Sequence, residues 1–241
     1  ADLPTDFWSR LESYVAVRGG TLIVSPGPRH GEALWGDPGR PKIASALSPF
    51  AEVRLASAED LTPDPDRPAL PSGLAILPIP EVVAERSAWP MFRLRDSSET
   101  ETAEDLARFW AQLPRQPWGL IGSTKPGASP LAVASGTGSD SRSRAVIAWQ
   151  RFGLGRVLWI GTDGTWRWRY GVGDALHHRF WGQTVRWAST SARLAAGDSR
   201  VRFGPIRQQV ESGEASRIRA RVSGGVTDLP PRLVLAARVT R

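Results

Sequence analysis

Asp163, three histidines and a single loop lysine are the groups through which this chain could do polar chemistry. Asp163 follows the apolar segment Arg156-Val157-Leu158-Trp159-Ile160, inside the run Gly161-Thr162-Asp163-Gly164-Thr165. A carboxylate just beyond a buried strand of an α/β sheet lies where ligands bind, outside the carboxyl ends of the strands. The same residues also spell ordinary turn chemistry, in which the carboxylate accepts from backbone N–H groups, and Thr162 and Thr165 share both readings. His30 lies beside Arg29 in a loop flanked by glycine and proline, Lys125 lies in Ser123-Thr124-Lys125-Pro126-Gly127-Ala128, and His177 and His178 are adjacent. If their strands are neighbours, Arg29, His30, Lys125 and Asp163 line one crevice. Asp163 with His30 or with His178 would make an acid–base pair for a hydrolase or a sugar-processing enzyme. Trp166 and Trp168 alternate with Arg167 and Arg169. In an extended segment this puts indoles on one face and guanidiniums on the other, either as an anion or sugar platform joined by Trp35 or as packing under a following helix.

Other chemistries are excluded or disfavoured by what is missing. Zero cysteines remove disulfides, thiolate metal sites, iron–sulfur clusters and every Cys-nucleophile mechanism. No His-x-x-x-His or carboxylate cluster accompanies His177 and His178, so no metal is expected. Gly153-Leu154-Gly155 joins two strands rather than a strand and a helix, and neither a Gly-x-x-x-x-Gly-Lys loop nor a Gly-x-Ser-x-Gly elbow is present. No nucleotide or other cofactor is expected. The net charge is +7, and all but Lys42 and Lys125 of the 31 basic residues are arginine. They are dispersed without a basic block, which disfavours a nucleic-acid partner. No apolar run reaches the eighteen or so residues that a bilayer span needs, so direct membrane insertion by this segment is not expected. The start Ala1-Asp2-Leu3-Pro4 shows no basic or apolar targeting signal and leaves the localisation open.

The elements that must position these groups read as an α/β pattern. Phe7, Leu11, Tyr14 and Val15 have helical spacing, Gly19-Gly20 stops the helix, and Thr21 to Ser25 is a short apolar strand. Ile43 to Leu47 reads as one helical turn, and the prolines between Leu61 and Pro80 leave room only for a strand over Leu74 to Leu77. A helix over Asp105 to Leu113 ends at Pro114, strands follow at Trp118 to Gly122 and Leu131 to Ala134, and residues 135–144 read as a polar surface loop. Ala145 to Gln150 and Arg156 to Ile160 form a hairpin, expected at one side of an otherwise mainly parallel sheet, and a helix over Asp174 to Ala188 should cover that sheet. Six of the 11 tryptophans (149, 159, 166, 168, 181 and 187) fall here, where large apolar area concentrates. The texture sets the boundaries at 1–197 for an α/β domain and 198–241 for a β-rich extension, with strands at 201–203, 218–222 and 233–235. So short a tail lacks a core of its own, and Val201, Phe203, Ile218 and Val222 are expected to bury against the α/β domain or against another copy.

The block from Gly155 to Arg169, with Phe180-Trp181-Gly182-Gln183-Thr184-Val185-Arg186-Trp187, resembles the glutamine amidotransferase-like domains of large membrane-anchored bacterial proteins, often planctomycete. Tyr14-Val15 before Gly19-Gly20-Thr21-Leu22, and Lys125-Pro126-Gly127-Ala128, fit the same pattern, so the resemblance covers about Asp6 to Ala188. It implies a class I glutamine amidotransferase-like, flavodoxin-like three-layer fold, with further strands upstream of Ala1. It also implies partners among the other domains of a parent protein or a second copy, and a tether to the bacterial envelope through parts outside this segment. The family's active members use a Cys nucleophile with a His and a Glu. This chain has no Cys, and His177 and His178 lack a Glu two residues on. Glutaminase chemistry is therefore excluded, and a non-catalytic binding or assembly module is the expectation. The alternative is a hydrolase or carbohydrate-binding domain built on Asp163, a histidine and the Trp166 and Trp168 surface.

Overall fold

In a computed structural model, the described residues are 6–28, 46–57, 73–84, 88–95, 102–135, 144–170, 173–189, 196–197, 201–205 and 218–222. Arg29, His30 and Trp35, the turn at 43–45 and the strand at 233–235 lie outside them. The chain divides into two units, Ala1–Ala192 and Arg193–Arg241.

In the first unit, helix α1 (Phe7–Ala16) leads into β1 (Thr21–Val24), and β2 (Phe50–Ser57), β3 (Ile76–Pro78) and the short helix α2 (Pro80–Ala84) follow. Next come a 3-10 turn over Pro90–Phe92, helix α3 (Ala103–Gln112), and the strands β4 (Trp118–Thr124), β5 (Ala128–Ala134), β6 (Ala145–Phe152) and β7 (Gly155–Ile160). A 3-10 helix over Gly164–Arg169 and helix α4 (Ala175–Ser189) close the unit. All seven strands join one sheet with a path β1-β7-β6-β4-β2, β5 adding to β6 and β3 to β5. The molecule is thus mixed α/β with a mixed sheet.

The hairpin expected at 145–161 is present, with β6 and β7 antiparallel from Ile147↔Ile160 to Phe152↔Gly155. Gly153 turns it at a φ of +56°, a conformation that suits a residue without Cβ. Its surroundings differ from expectation in two ways. The hairpin is central, because β1 flanks β7 while β5 and β4 both reach β6. The sheet is mainly antiparallel, since β1 with β7 is the one parallel pair among the described strands. A parallel return needs a crossover of a dozen or more residues, and the stretch between β5 and β6 is shorter than that.

Sequence patterning also passed over β2. The alternation Glu52-Val53-Arg54-Leu55 is present in the sequence, and a register shift between Phe50 and Glu52 shortens the run. Helix α3 starts two residues before the expected Asp105, because Thr102 and Asp105 form a capping box.

β7 is buried on both faces, as its unbroken apolar run requires. Leu158 and Ile160 join the large core with Val146, Ile147, Trp110 of α3, and Phe180 and Trp187 of α4, so α4 covers the sheet. Val157 packs on the other side with Val15 of α1 and Leu47, and Trp159 with Phe50 and Leu120. Where β7 ends, Gly161 ties three strands together. Its amide donates to the Val146 carbonyl (2.7 Å), and its carbonyl accepts from the Leu120 amide (2.6 Å). Arg156, at the other end of β7, holds the C-terminus of α4. Its guanidinium stacks 3.8 Å from the Trp187 ring centroid and donates to the Trp187 and Ala188 carbonyls, and its Nε donates to Thr21 Oγ1. Cations are favoured there because the last helical carbonyls lack intrahelical partners.

The second unit contains a three-stranded antiparallel sheet of β8 (Ala196–Gly197), β9 (Val201–Pro205) and β10 (Ile218–Val222), in the order β10-β9-β8. The side chains of Val201, Phe203, Ile218 and Val222 lie outside the described set.

Candidate functional site

The parallel pairing of β1 and β7, in register from Thr21↔Arg156 to Val24↔Trp159, makes both strands empty at the same end of the sheet. Their exit loops are joined there by Ser25, whose Oγ donates to the Thr162 carbonyl at 2.9 Å. Thr162 is fully buried, and its Oγ1 accepts from the Gly164 amide at 3.0 Å. Thr165 is buried too and accepts from Trp181 Nε1 of α4 at 3.0 Å. Both threonine oxygens therefore accept within the loop or at its seam with α4. Gln116, buried just before β4, adds a third tie. With its amide nitrogen donating to the Gly164 carbonyl (2.8 Å), its oxygen accepts from Trp168 Nε1 (3.2 Å).

Asp163 stands between these anchored residues and is exposed. It occupies the N-cap position of the 3-10 helix, yet its side chain makes no capping bond, while Thr162 Oγ1 accepts from the amide of Gly164, the first helical residue. It has no hydrogen bond or ion pair with any described residue. The contrast within the chain is informative. Asp6 pairs with Arg10 (2.6 Å), Asp105 with Arg108 (3.4 Å) and Asp174 with Arg169. Gly27, in the exit loop of β1, lies alongside, and a Cβ there would stand 3.5 Å from Asp163 Oδ2. Sequence reasoning missed Gly27, Ser25 and Gln116, since nothing in their local spacing announces a contact across the sheet.

The remaining candidates separate from this loop. Lys125 opens the β4–β5 turn, where its amide donates to the Pro49 carbonyl (2.9 Å), and burial holds its ammonium below the ordinary lysine range. His178 is exposed in the first turn of α4, its amide donating to the Asp174 carbonyl (3.0 Å), and its ring lies 5.9 Å from that of His177. Neither histidine bonds to Asp163. Among the described residues no group of three His, Cys, Asp or Glu side chains is placed to hold a metal ion.

Of the two readings of the tryptophan pair, the extended platform fails and packing under the following helix holds for Trp168. Residues 164–169 form a 3-10 helix rather than an extended segment, so positions two apart diverge instead of sharing a face. Trp168 is 1% exposed, edge-on to Trp110 and Phe180, whereas Trp166 is 44% exposed, with Tyr170 5.7 Å away at an interplanar angle of 57°. A coplanar two-indole platform on Trp166 and Trp168 is absent. Position 166 is instead one 3-10 turn beyond Asp163, and the Arg167 guanidinium stands 5.4 Å from the Trp166 ring centroid. Compared with protein-family models, curated proteins and solved structures, the chain finds no match.

Proposed function

We propose that this chain is a non-catalytic, class I glutamine amidotransferase-like domain that serves as a binding or assembly module of a larger envelope-associated bacterial protein. The observation that carries the binding role is Asp163: a carboxylate held out at the carboxyl ends of the parallel pair β1 and β7, without a partner among the described residues while Ser25 and Thr162 beside it are bonded. The amidotransferase-like ancestry is supported by the way the resembling residues sit together. β7, its glycine exit, the 3-10 helix and α4 form one continuous packed stretch beside β1, and a cysteine nucleophile is lacking throughout. A flavodoxin-like ancestry has to accommodate the antiparallel pairing of the other strands. The hydrolase alternative needs a base partnered with Asp163, and no described histidine supplies one. The carbohydrate alternative loses its indole pair with the burial of Trp168.

The direct test is incubation of the full chain with L-glutamine. Ammonia release should equal that of a heat-denatured sample, and enzyme-dependent release would overturn the non-catalytic assignment.

A further inference from the structure

We propose that Asp163 and Trp166 form a site for a cationic group of the guanidinium or ammonium class, an assignment that deepens, and rests on, the binding role given above. Three observations combine. First, among the described residues the carboxylate has no ionic partner, whereas the other described aspartates each hold an arginine. Second, the carboxylate stands at the N-cap position yet makes no capping bond, and Ser25 Oγ holds the loop through the Thr162 carbonyl. Third, the exposed indole lies three residues on in a 3-10 helix, where i and i+3 eclipse, so carboxylate and ring share one face. A negative group beside the negative face of an indole selects a cation and rejects an anion.

Arg167 gives the site an internal competitor. Its guanidinium already lies over the Trp166 ring, so that face accepts the proposed chemistry, and an incoming cation must share or displace it. Removing Arg167 should therefore strengthen binding, both by clearing the ring face and by lifting a like charge from beside the incoming cation.

The test is NMR titration of the full chain with ethylguanidinium chloride up to about 50 mM, the ceiling being set by the weakness of exposed ion pairs. Sodium chloride at equal ionic strength and ethylurea, the neutral isostere, serve as controls. Expected are saturable shifts of the Gly27 and Asp163 amides and of the Trp166 indole N–H with ethylguanidinium alone. The shifts should vanish in Asp163→Asn, weaken about two- to fivefold in Trp166→Leu, and tighten in Arg167→Gln. Absence of shifts in the wild type, or equal shifts in Asp163→Asn, would overturn the site. Shifts of the same loop with inorganic phosphate instead would overturn the cation class while leaving the binding role standing. Ammonia release from glutamine bears only on the non-catalytic assignment.

Discussion

Gly161 is the residue at which the first unit has least latitude. A Cβ there would lie 2.1 Å from the Leu120 carbonyl oxygen and 2.8 Å from that of Val146, and both are backbone atoms that cannot swing aside. Gly161→Ala is expected to cost about 2–3 kcal/mol, read from urea unfolding followed by far-UV circular dichroism. A second contrast separates the two tryptophans of the 3-10 helix. Trp168→Ala should cost about 3–5 kcal/mol through the cavity it opens against Trp110 and Phe180, whereas Trp166→Ala should stay within about 0.5 kcal/mol. Equal losses would mean that the exposed indole is held by more than its ring contacts. At this scale the sequence was readable for Asp163, because a carboxylate after an apolar run marks a strand exit whatever the sheet does. For Trp168 it left two readings open, of which packing under the following helix holds. Alternation of Trp and Arg assigns faces only if the backbone is extended, and the 3-10 geometry is set by ties to Gln116 and Trp181 that lie far off in the chain.

Among the elements, α3 offers a cap with a defined acid response. Thr102 Oγ1 accepts from the Asp105 amide (3.1 Å) while the Asp105 carboxylate accepts from the Thr102 hydroxyl (2.7 Å) and amide (3.2 Å), which holds its carboxyl below the ordinary value of 3.8. A carboxyl depressed in the folded state favours folding above its unfolded pKa and loses that contribution as pH falls through its folded pKa. Thr102→Val should therefore destabilise the chain at pH 6, and its deficit against the wild type should shrink at pH 3. The amide-to-hydroxyl bond does not titrate, so part of the deficit persists in acid. An unchanged deficit in urea melts at the two pH values would show that the carboxylate half of the box contributes nothing. The hairpin β6–β7 and helix α4 were legible because local signals, a glycine turn and helical spacing, decide them. Strand order and direction were not. The mainly parallel expectation came from seeing helix and strand alternate, and it overlooked β2, which pairs antiparallel with β4.

At the scale of the whole molecule, the three buried clusters lie entirely within Ala1–Ala192. Residues 1–192 alone should consequently unfold as one cooperative transition. The circular dichroism of this fragment should give one sigmoidal thermal transition with the same midpoint at every wavelength, and two resolved steps would show that the clusters unfold separately. Arg156 gives this arrangement a mechanical meaning. The chain leaves the first unit through the end of α4, and that end is clamped by Arg156 to the start of β7 and to Thr21 at the start of β1. Tension arriving through residue 193 would load that clamp before it could peel α4 from the sheet. The load would then enter β7 and β1 together at their first paired residues, Arg156 and Thr21 being bonded to one another as well as paired in register.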